Sequence, residues 1–323
     1  MTAIQKSIKV FSGSSNRPLA EAIAAKLGVQ LGDLTLEKFA NGEIYARYGE
    51  SVRGADVFII QSVAGEHLND MLMEVLVMTD AAKRASARTV TAVITHYAYA
   101  RQDRKAAPRE PTTARLVANL YEAAGVDRII TVDLHQGQIQ GFFDIPVNHL
   151  TALPLFVDWY SAKGFDMNNT VVVSPDVGRA KASKRLADLL GASFAVAHKG
   201  RPSHNAAEVM GIIGDIEGRT CIINDDMIDT AGTLCGAVRE LKAKGAGDIY
   251  VGATHGLFSG PAYERLEDAP IEEVLVTDAV PVPAERQGGK IKVVSLADEF
   301  ARAIQNVYDE TSVSGLFGVN PEF

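Results

Sequence analysis

Short runs of β-branched and other apolar residues recur along the chain at Ile8–Phe11, Val57–Gln61, Val90–Thr95, Ile129–Val132, Val171–Val173, Thr220–Ile223, Ile249–Ala253 and Val274–Thr277. Such largely unbroken apolar runs suit strands buried on both faces of a parallel sheet. Between the runs the period changes. In Glu66–Ala85 the residues Leu68, Met71, Leu72, Val75, Leu76 and Ala82 recur near i, i+3, i+4 spacing, which gathers them on one helical face. Thr113–Ala124, Lys181–Leu190 and Thr233–Lys244 read the same way, and Gly125 and Gly245 stand where two of these helices would stop. Strands alternating with helices predict an α/β architecture with mostly parallel sheets.

The alternation runs twice. Strand-like runs lead into an aspartate at Thr131-Val132-Asp133 and at Val173-Ser174-Pro175-Asp176, and the proline-containing stretch Ile145–Leu150 lies between them. A boundary near residue 150 follows, giving domains of 1–150 and 151–305. A terminal segment, 306–323, is expected at a domain or subunit interface. The length of 323 residues suits two domains of ordinary size.

Composition then removes several classes of function. A formal net charge of −8 lacks the basic footprint of a general nucleic-acid binder, although a local anion pocket remains compatible with it. Two cysteines, Cys221 and Cys235, make neither a disulfide framework nor a four-ligand zinc site, and are read as reduced core thiols. No apolar stretch reaches the roughly 18–20 residues that cross a bilayer. The residues from Met1 to Lys6 run into a strand without a long apolar region, so a cytoplasmic protein is expected.

Candidate chemistry concentrates in Cys221-Ile222-Ile223-Asn224-Asp225-Asp226-Met227-Ile228-Asp229-Thr230-Ala231-Gly232-Thr233. The pattern is a buried strand ending in two adjacent carboxylates, a short loop, and a helix starting near Thr233. Ligands of open α/β sheets bind beyond the carboxyl ends of strands. Backbone N–H groups at a helix start form an anion site, and the hydroxyls of Thr230 and Thr233 add donors. Gly232 has no Cβ, so a phosphate can come close to the backbone. Asp225 and Asp226 suit ribose hydroxyls or a hydrated Mg²⁺. An isolated Asp-Asp would be an acidic surface turn; the whole string fits a sugar phosphate, with phosphate on the loop and ribose on the acids. It resembles the phosphoribosyl-diphosphate loop of type I phosphoribosyltransferases and of the diphosphate-forming synthetases, and at this point both remain open.

Three further stretches bear on the choice. Asp133-Leu134-His135-Gln136-Gly137-Gln138-Ile139-Gln140-Gly141-Phe142-Phe143 is similar to the ribose-phosphate diphosphokinase signature. Tyr97–Lys105 resembles the ATP-contacting segment of that family, and Phe39-Ala40-Asn41-Gly42-Glu43 resembles the element that reaches adenine across a subunit interface. The likeness extends over essentially the whole chain, from Ser12 to Phe317. Neither a Walker A pattern nor Gly-x-Gly-x-x-Gly occurs, so nucleotide would have to bind elsewhere.

The resemblance implies two type I phosphoribosyltransferase-like domains, each a mostly parallel sheet flanked by helices. It implies transfer of the β,γ-diphosphate of ATP to C1 of ribose 5-phosphate, the product supplying nucleotide, histidine and tryptophan synthesis. Phe39, Asn41, Glu43, Arg101 and Gln102 would hold ATP. His135 and Asp176 would flank Mg²⁺ on the triphosphate. Asp225, Asp226, Asp229, Thr230, Ala231, Gly232 and Thr233 would hold ribose 5-phosphate. Lys199 and Arg201, with His135, would be catalytic, and the two cations would open a mobile loop. A homo-oligomer follows, at least a dimer and commonly a hexamer. Ser51, Arg53, Gln140, Ser312 and Ser314 match a site for phosphate and ADP as effectors.

The chain also departs from the family pattern. Gly200 stands between Lys199 and Arg201 where an arginine is usual. Arg179 follows Gly178 where a second glycine is usual, and would crowd the turn if that position needed a positive φ. Ala182, Asn224, His96, Ala106-Ala107-Pro108 and Asn148 also differ. A weakened response to phosphate and ADP is expected. A non-catalytic paralogue and a transferase acting on a base are the alternatives.

Overall fold

The computed structural model describes residues 6–200 and 209–313, which fall into two compact units. The first holds the described residues through Thr151, together with Ala279–Pro281 and those from Ser295 onward. Its sheet is wholly parallel and has five strands: β1 (Ile8–Ser12), β4 (Asp56–Ser62), β5 (Thr89–His96), β6 (Arg128–Val132) and β7 (Val147–Leu150), in that spatial order. Every residue of β4 is buried, as its apolar run requires. Helices α2 (Leu68–Arg84) and α3 (Thr113–Ala124) bring Leu72, Val75, Met78, Val117 and Tyr121 into one core with Val57, Ile59, Ala92 and Ile94. Gly125 ends α3 at φ 101°, a left-handed position that favours glycine.

The second unit holds Ala152–Asp278 and Val282–Val294. Its seven-stranded sheet runs β10 (Val209–Ile213), β9 (Ser193–Gly200), β8 (Thr170–Ser174), β11 (Thr220–Ile228), β12 (Ile249–Gly256), β13 (Glu273–Thr277) and β14 (Ile291–Val294). Only the β9–β10 pair is antiparallel. Helices α4 (Leu153–Ala162), α5 (Ala180–Leu190), α6 (Gly232–Ala243) and α7 (Ala262–Asp268) complete this unit. Cys221 and Cys235 are free and buried in its core, and burial pushes the Cys221 thiol up to about 11. No helix among the described residues is long and apolar enough to cross a membrane.

All eight apolar runs are strands and all four periodic segments are helices. The pattern did not reveal β2 (Leu34–Lys38) and β3 (Ile44–Tyr48), which form a separate antiparallel hairpin. Their residues are half-buried or exposed, so no continuous apolar run marks them. Helix α1 (Arg17–Lys26) was also unforeseen.

The domain limits differ too. Helix α8 (Ala297–Tyr308) belongs with the first unit, whereas the sequence reading placed 151–305 in one domain. The reason is local: Lys26 of α1 pairs with Asp298 at 2.9 Å, and the Tyr308 hydroxyl donates to the Lys6 carbonyl at 2.8 Å. Residues 279–281 cross over as well, because the Ser62 and Thr95 hydroxyls donate to the Ala279 carbonyl at 2.7 and 2.6 Å.

Candidate active site

In the second unit, strand β11 continues through Asp225 and Asp226 to Ile228, rather than stopping at Ile223. Its partner β8 pairs only as far as Ile223↔Val173, while β12 pairs on to Ile228↔Gly256. One edge of β11 is therefore unpaired by strand from Asn224 onward. Asp226 is 2% exposed, and its amide donates to Asp225 Oδ1 at 2.8 Å. Burial, followed by the charge of Asp226, pushes the Asp225 carboxyl up to about 7; the Arg179 guanidinium opposes this.

Beyond β11 the chain turns into α6 through Ala231, which takes a left-handed φ of 58°. An alanine in this region is strained by roughly 1 kcal/mol. The turn is held from below by Arg265 of α7, whose Nη1 donates to the Thr230 carbonyl at 2.8 Å. A Cβ on Gly232 would come within 3.1 Å of the same Nη1, so the glycine fits this close approach. The amides of Gly232, Thr233 and Leu234 and the hydroxyls of Thr230 and Thr233 have no partner among the described residues. Three unsatisfied donors at a helix start beside two carboxylates make an anion site next to a hydroxyl-accepting site.

The turn after β8 lies over the free edge of β11. Asp176 is exposed; its Oδ1 accepts from the Arg179 amide at 2.9 Å, and the Ser174 hydroxyl donates to the Asp176 carbonyl at 2.6 Å. Arg179 has φ −93°, so the expected crowding of a positive-φ turn does not arise. Its Nε lies 3.8 Å from Asp225 Oδ1 and 4.0 Å from Asp226 Oδ1. The sequence reading treated Arg179 only as a departure, and its approach to the acids required the fold.

Lys199 is the penultimate residue of β9, where its backbone pairs with Met210 of β10. Arg201 and Ser314 lie outside the described residues.

In the first unit, β6 leads into His135 through Asp133, which has φ 36°. The Asp133 amide donates to the Leu150 carbonyl at 3.0 Å. The Leu134 amide donates to His149 Nε2 at 2.8 Å, and the Gln140 side-chain nitrogen lies 3.2 Å from His149 Nδ1. Gln140 also donates to the Gly137 carbonyl at 3.0 Å. His149 thus fixes the His135 segment, a role the sequence did not suggest because a histidine within a short strand carries no motif. Arg101 and Gln102 are exposed in a short turn after β5, where Gln102 Oε1 accepts from the Thr113 hydroxyl at 2.5 Å. Gln138 donates to Asp103 at 3.2 Å, tying the His135 segment to this turn.

Phe39, Asn41 and Glu43 form the tip of the β2–β3 hairpin. The Phe39 amide donates to the Glu43 carbonyl at 2.8 Å, and the Glu43 amide donates to Asn41 Oδ1 at 3.2 Å. Phe39 is 50% exposed, and its ring lies 5.6 Å from that of Tyr45. Ser51, Arg53 and Ser312 are exposed. Asn148 accepts from Arg128 Nη1 at 2.9 Å, and the amides of Ala106 and Ala107 donate to Glu110 at 2.7 and 2.8 Å.

The parallel sheets and an acidic strand running into an open helix start define an α/β protein whose candidate site lies at a strand end. Within it, residues 8–125 match the family described as the N-terminal domain of ribose phosphate pyrophosphokinase, and residues 201–318 match the phosphoribosyl synthetase-associated domain. The chain is 48% identical over 310 residues to a ribose-phosphate pyrophosphokinase of Fusobacterium nucleatum, covering 96% of this chain and 98% of the relative. It is 50% identical over 317 residues to that of Caldanaerobacter subterraneus, covering 98% and 100%. The crystal structure of phosphoribosylpyrophosphate synthetase from Mycobacterium smegmatis superposes with a TM-score of 0.89 at 44% identity, covering 94% of this chain and 99% of that one. The chain belongs to the ribose-phosphate pyrophosphokinase family and is an enzyme of it.

Proposed function

We propose that the chain converts ATP and ribose 5-phosphate to AMP and 5-phospho-α-D-ribose 1-diphosphate, with the sugar phosphate held on the β11–α6 turn. The observation that carries this reading is the set of open amides at Gly232, Thr233 and Leu234 beside Asp225 and Asp226, in a chain of this family. The 5-phosphate takes the amides and the threonine hydroxyls, and the ribose hydroxyls donate to the two carboxylates. The 1-oxygen attacks the β-phosphorus, the bond from Pβ to the α-bridging oxygen breaks, and AMP leaves with that oxygen. The proton of the 1-hydroxyl passes to solvent. Such transfers ask the protein mainly for alignment and charge neutralisation.

On the nucleotide side, Phe39 stacks on adenine while Asn41 and Glu43 read its edge, and Arg101 and Gln102 hold phosphate oxygens. Lys199 and Arg201 are assigned as the cations that neutralise charge on the transferring diphosphate. The hairpin completes the site of another subunit, which makes the protein an oligomer, at least a dimer and in our reading a hexamer. Ser51, Arg53, Gln140, Ser312 and Ser314 take phosphate or ADP as effectors. We place the reaction in the cytoplasm.

The reaction of this family needs a metal ion, which we assign as Mg²⁺. No group of three or more His, Cys, Asp or Glu side chains suited to a metal occurs among the described residues. That suits Mg²⁺, which keeps several waters and phosphate oxygens and takes only one or two carboxylates from protein. Asp176, exposed and with Oδ2 lacking a hydrogen-bond partner among the described residues, fits this role, and His135 is its proposed companion. When bound, the ion neutralises triphosphate charge.

The test is an end-point assay of full-length protein with ATP, MgCl₂ and ribose 5-phosphate. AMP and phosphoribosyl diphosphate are expected in equal amounts; ATP consumption without the sugar diphosphate would refute the assignment.

A further inference from the structure

Arg179 places a cation against Asp225 and Asp226 without closing a hydrogen bond to either. Three observations fix its place. Its amide is held by Asp176 Oδ1 at 2.9 Å, so the backbone at the start of α5 is anchored. Its side chain reaches over the β11 edge that β8 leaves free after Ile223. Its Nε is buried and has no hydrogen-bond partner among the described residues, although carboxylate oxygens stand 3.8 and 4.0 Å away. Adjacent residues of a strand point to opposite faces, so one group can approach both acids only from the strand edge. That is where Arg179 lies.

A separation of 3.8–4.0 Å has a chemical consequence. It lies within Coulomb range and outside hydrogen-bond range. The guanidinium offsets the charge of the acidic pair while taking no direct hydrogen bond through Nε. Two neighbouring carboxylates, one of them fully buried, ionise more readily beside a counter-cation, and the charged form is the stronger acceptor of hydroxyls. In most sites of hydrated carboxylates a divalent ion can do this. Here the protein carries a cation at that edge itself.

We propose that Arg179 is a positioning residue for the sugar phosphate, a resident counter-cation that keeps Asp225 and Asp226 ready to accept ribose hydroxyls when no divalent ion is bound beside them. The proposal rests on the reading that this pair grips the ribose. It assigns Arg179 no contact with the transferring diphosphate.

Calorimetric titration of ribose 5-phosphate into the full-length protein, without nucleotide, tests it. Wild type, Arg179→Gln and Arg179→Lys are compared in EDTA and in MgCl₂. Wild-type Kd is expected to change less than about threefold between the two buffers. Arg179→Gln should bind about tenfold more weakly than wild type in EDTA and recover to within about threefold in MgCl₂, the scale of one lost charge near a carboxylate pair. Arg179→Lys should follow wild type, since it keeps the charge on a flexible stem.

Equal binding of wild type and Arg179→Gln in EDTA overturns the inference, as does a wild type that itself requires MgCl₂. A deficit in Arg179→Gln that MgCl₂ does not repair also overturns it, because lost packing has no reason to respond to the ion. Absence of binding by wild type in both buffers instead overturns the ribose assignment on which the inference stands.

Discussion

Two strand-to-helix turns, one in each unit, begin from similar local sequence and end in opposite states. In the first unit β1 passes through Gly13-Ser14-Ser15-Asn16 into α1. In the second, β11 passes through Asp229-Thr230-Ala231-Gly232 into α6. Each offers small residues, hydroxyls and helix-start amides. The first turn is filled by its own unit. The Ser14 amide and hydroxyl both donate to Glu74 Oε2, at 3.0 and 2.8 Å, and the Ser15 amide and hydroxyl both donate to Gln61 Oε1, at 3.1 and 2.6 Å. Gln61 and Glu74 are buried and joined at 2.6 Å, and a Cβ on Gly13 would lie 2.4 Å from Gln61. In the second turn the comparable donors meet no described partner. A strand-to-helix turn is open to a ligand when the fold leaves its amides and hydroxyls unanswered.

The comparison can be broken most directly at the acids. Asp226→Asn should lower kcat/KM for ribose 5-phosphate by about 10²–10³, the range for removing a charged hydrogen-bonding group from a preorganised site. Steady-state kinetics at saturating ATP measure this, and a change under about fivefold would remove Asp226 from the site.

Glu74→Ala should act on stability instead. It strips the acceptor from three donors, the Ser14 amide, the Ser14 hydroxyl and Gln61 Nε2, at a cost of about 2–3 kcal/mol. A melting temperature lower by about 5–10 °C is expected, with kcat/KM for ribose 5-phosphate within about threefold of wild type. A large kinetic loss in a stably folded variant would show that the first turn is also a working site.

The third test is pH. Asp225 is raised to about 7, so it gains a proton as pH falls through that value and loses the charge that strengthens a hydrogen bond from a ribose hydroxyl. Affinity for ribose 5-phosphate should drop about tenfold per unit below pH 7, and Asp225→Asn should flatten the profile. The sign for stability runs the other way. With the folded value above the ordinary one of 3.8, the contribution of Asp225 to stability is full below about pH 4 and is lost as pH rises through about 7. Asp225→Asn should therefore melt higher than wild type at pH 8, and a scan at pH 4 should show no such gain.

The smallest effect is expected at the hairpin of the first unit. Phe39→Ala should raise KM for ATP about five- to tenfold, the scale of one lost ring stack, and leave KM for ribose 5-phosphate unchanged. Equal effects on both substrates would place Phe39 in folding or assembly.

Much of this was legible beforehand. Strands buried on both faces advertise themselves as apolar runs, so β4, β5, β8 and β11 could be read directly. The candidate turn was legible because its acids, threonines and glycine are contiguous in the chain. The β2–β3 hairpin was not, since half-exposed strands have weak patterning. Helix α8 was misassigned because its partners, Lys26 and Lys6, lie nearly three hundred residues away.

The sequence by itself determined the α/β class, the family and the acidic turn proposed to hold the sugar phosphate. All three are written in local runs of adjacent residues, whose periodicity and backbone geometry need no distant partner. Only the tertiary structure decided which turn has its amides and hydroxyls filled, where β11 loses its neighbour, and that Arg179 stands against the acids. Those are matters of who ends up beside whom. A side chain forty-six residues downstream in sequence, or sixty, answers a turn only after the sheet has brought them together.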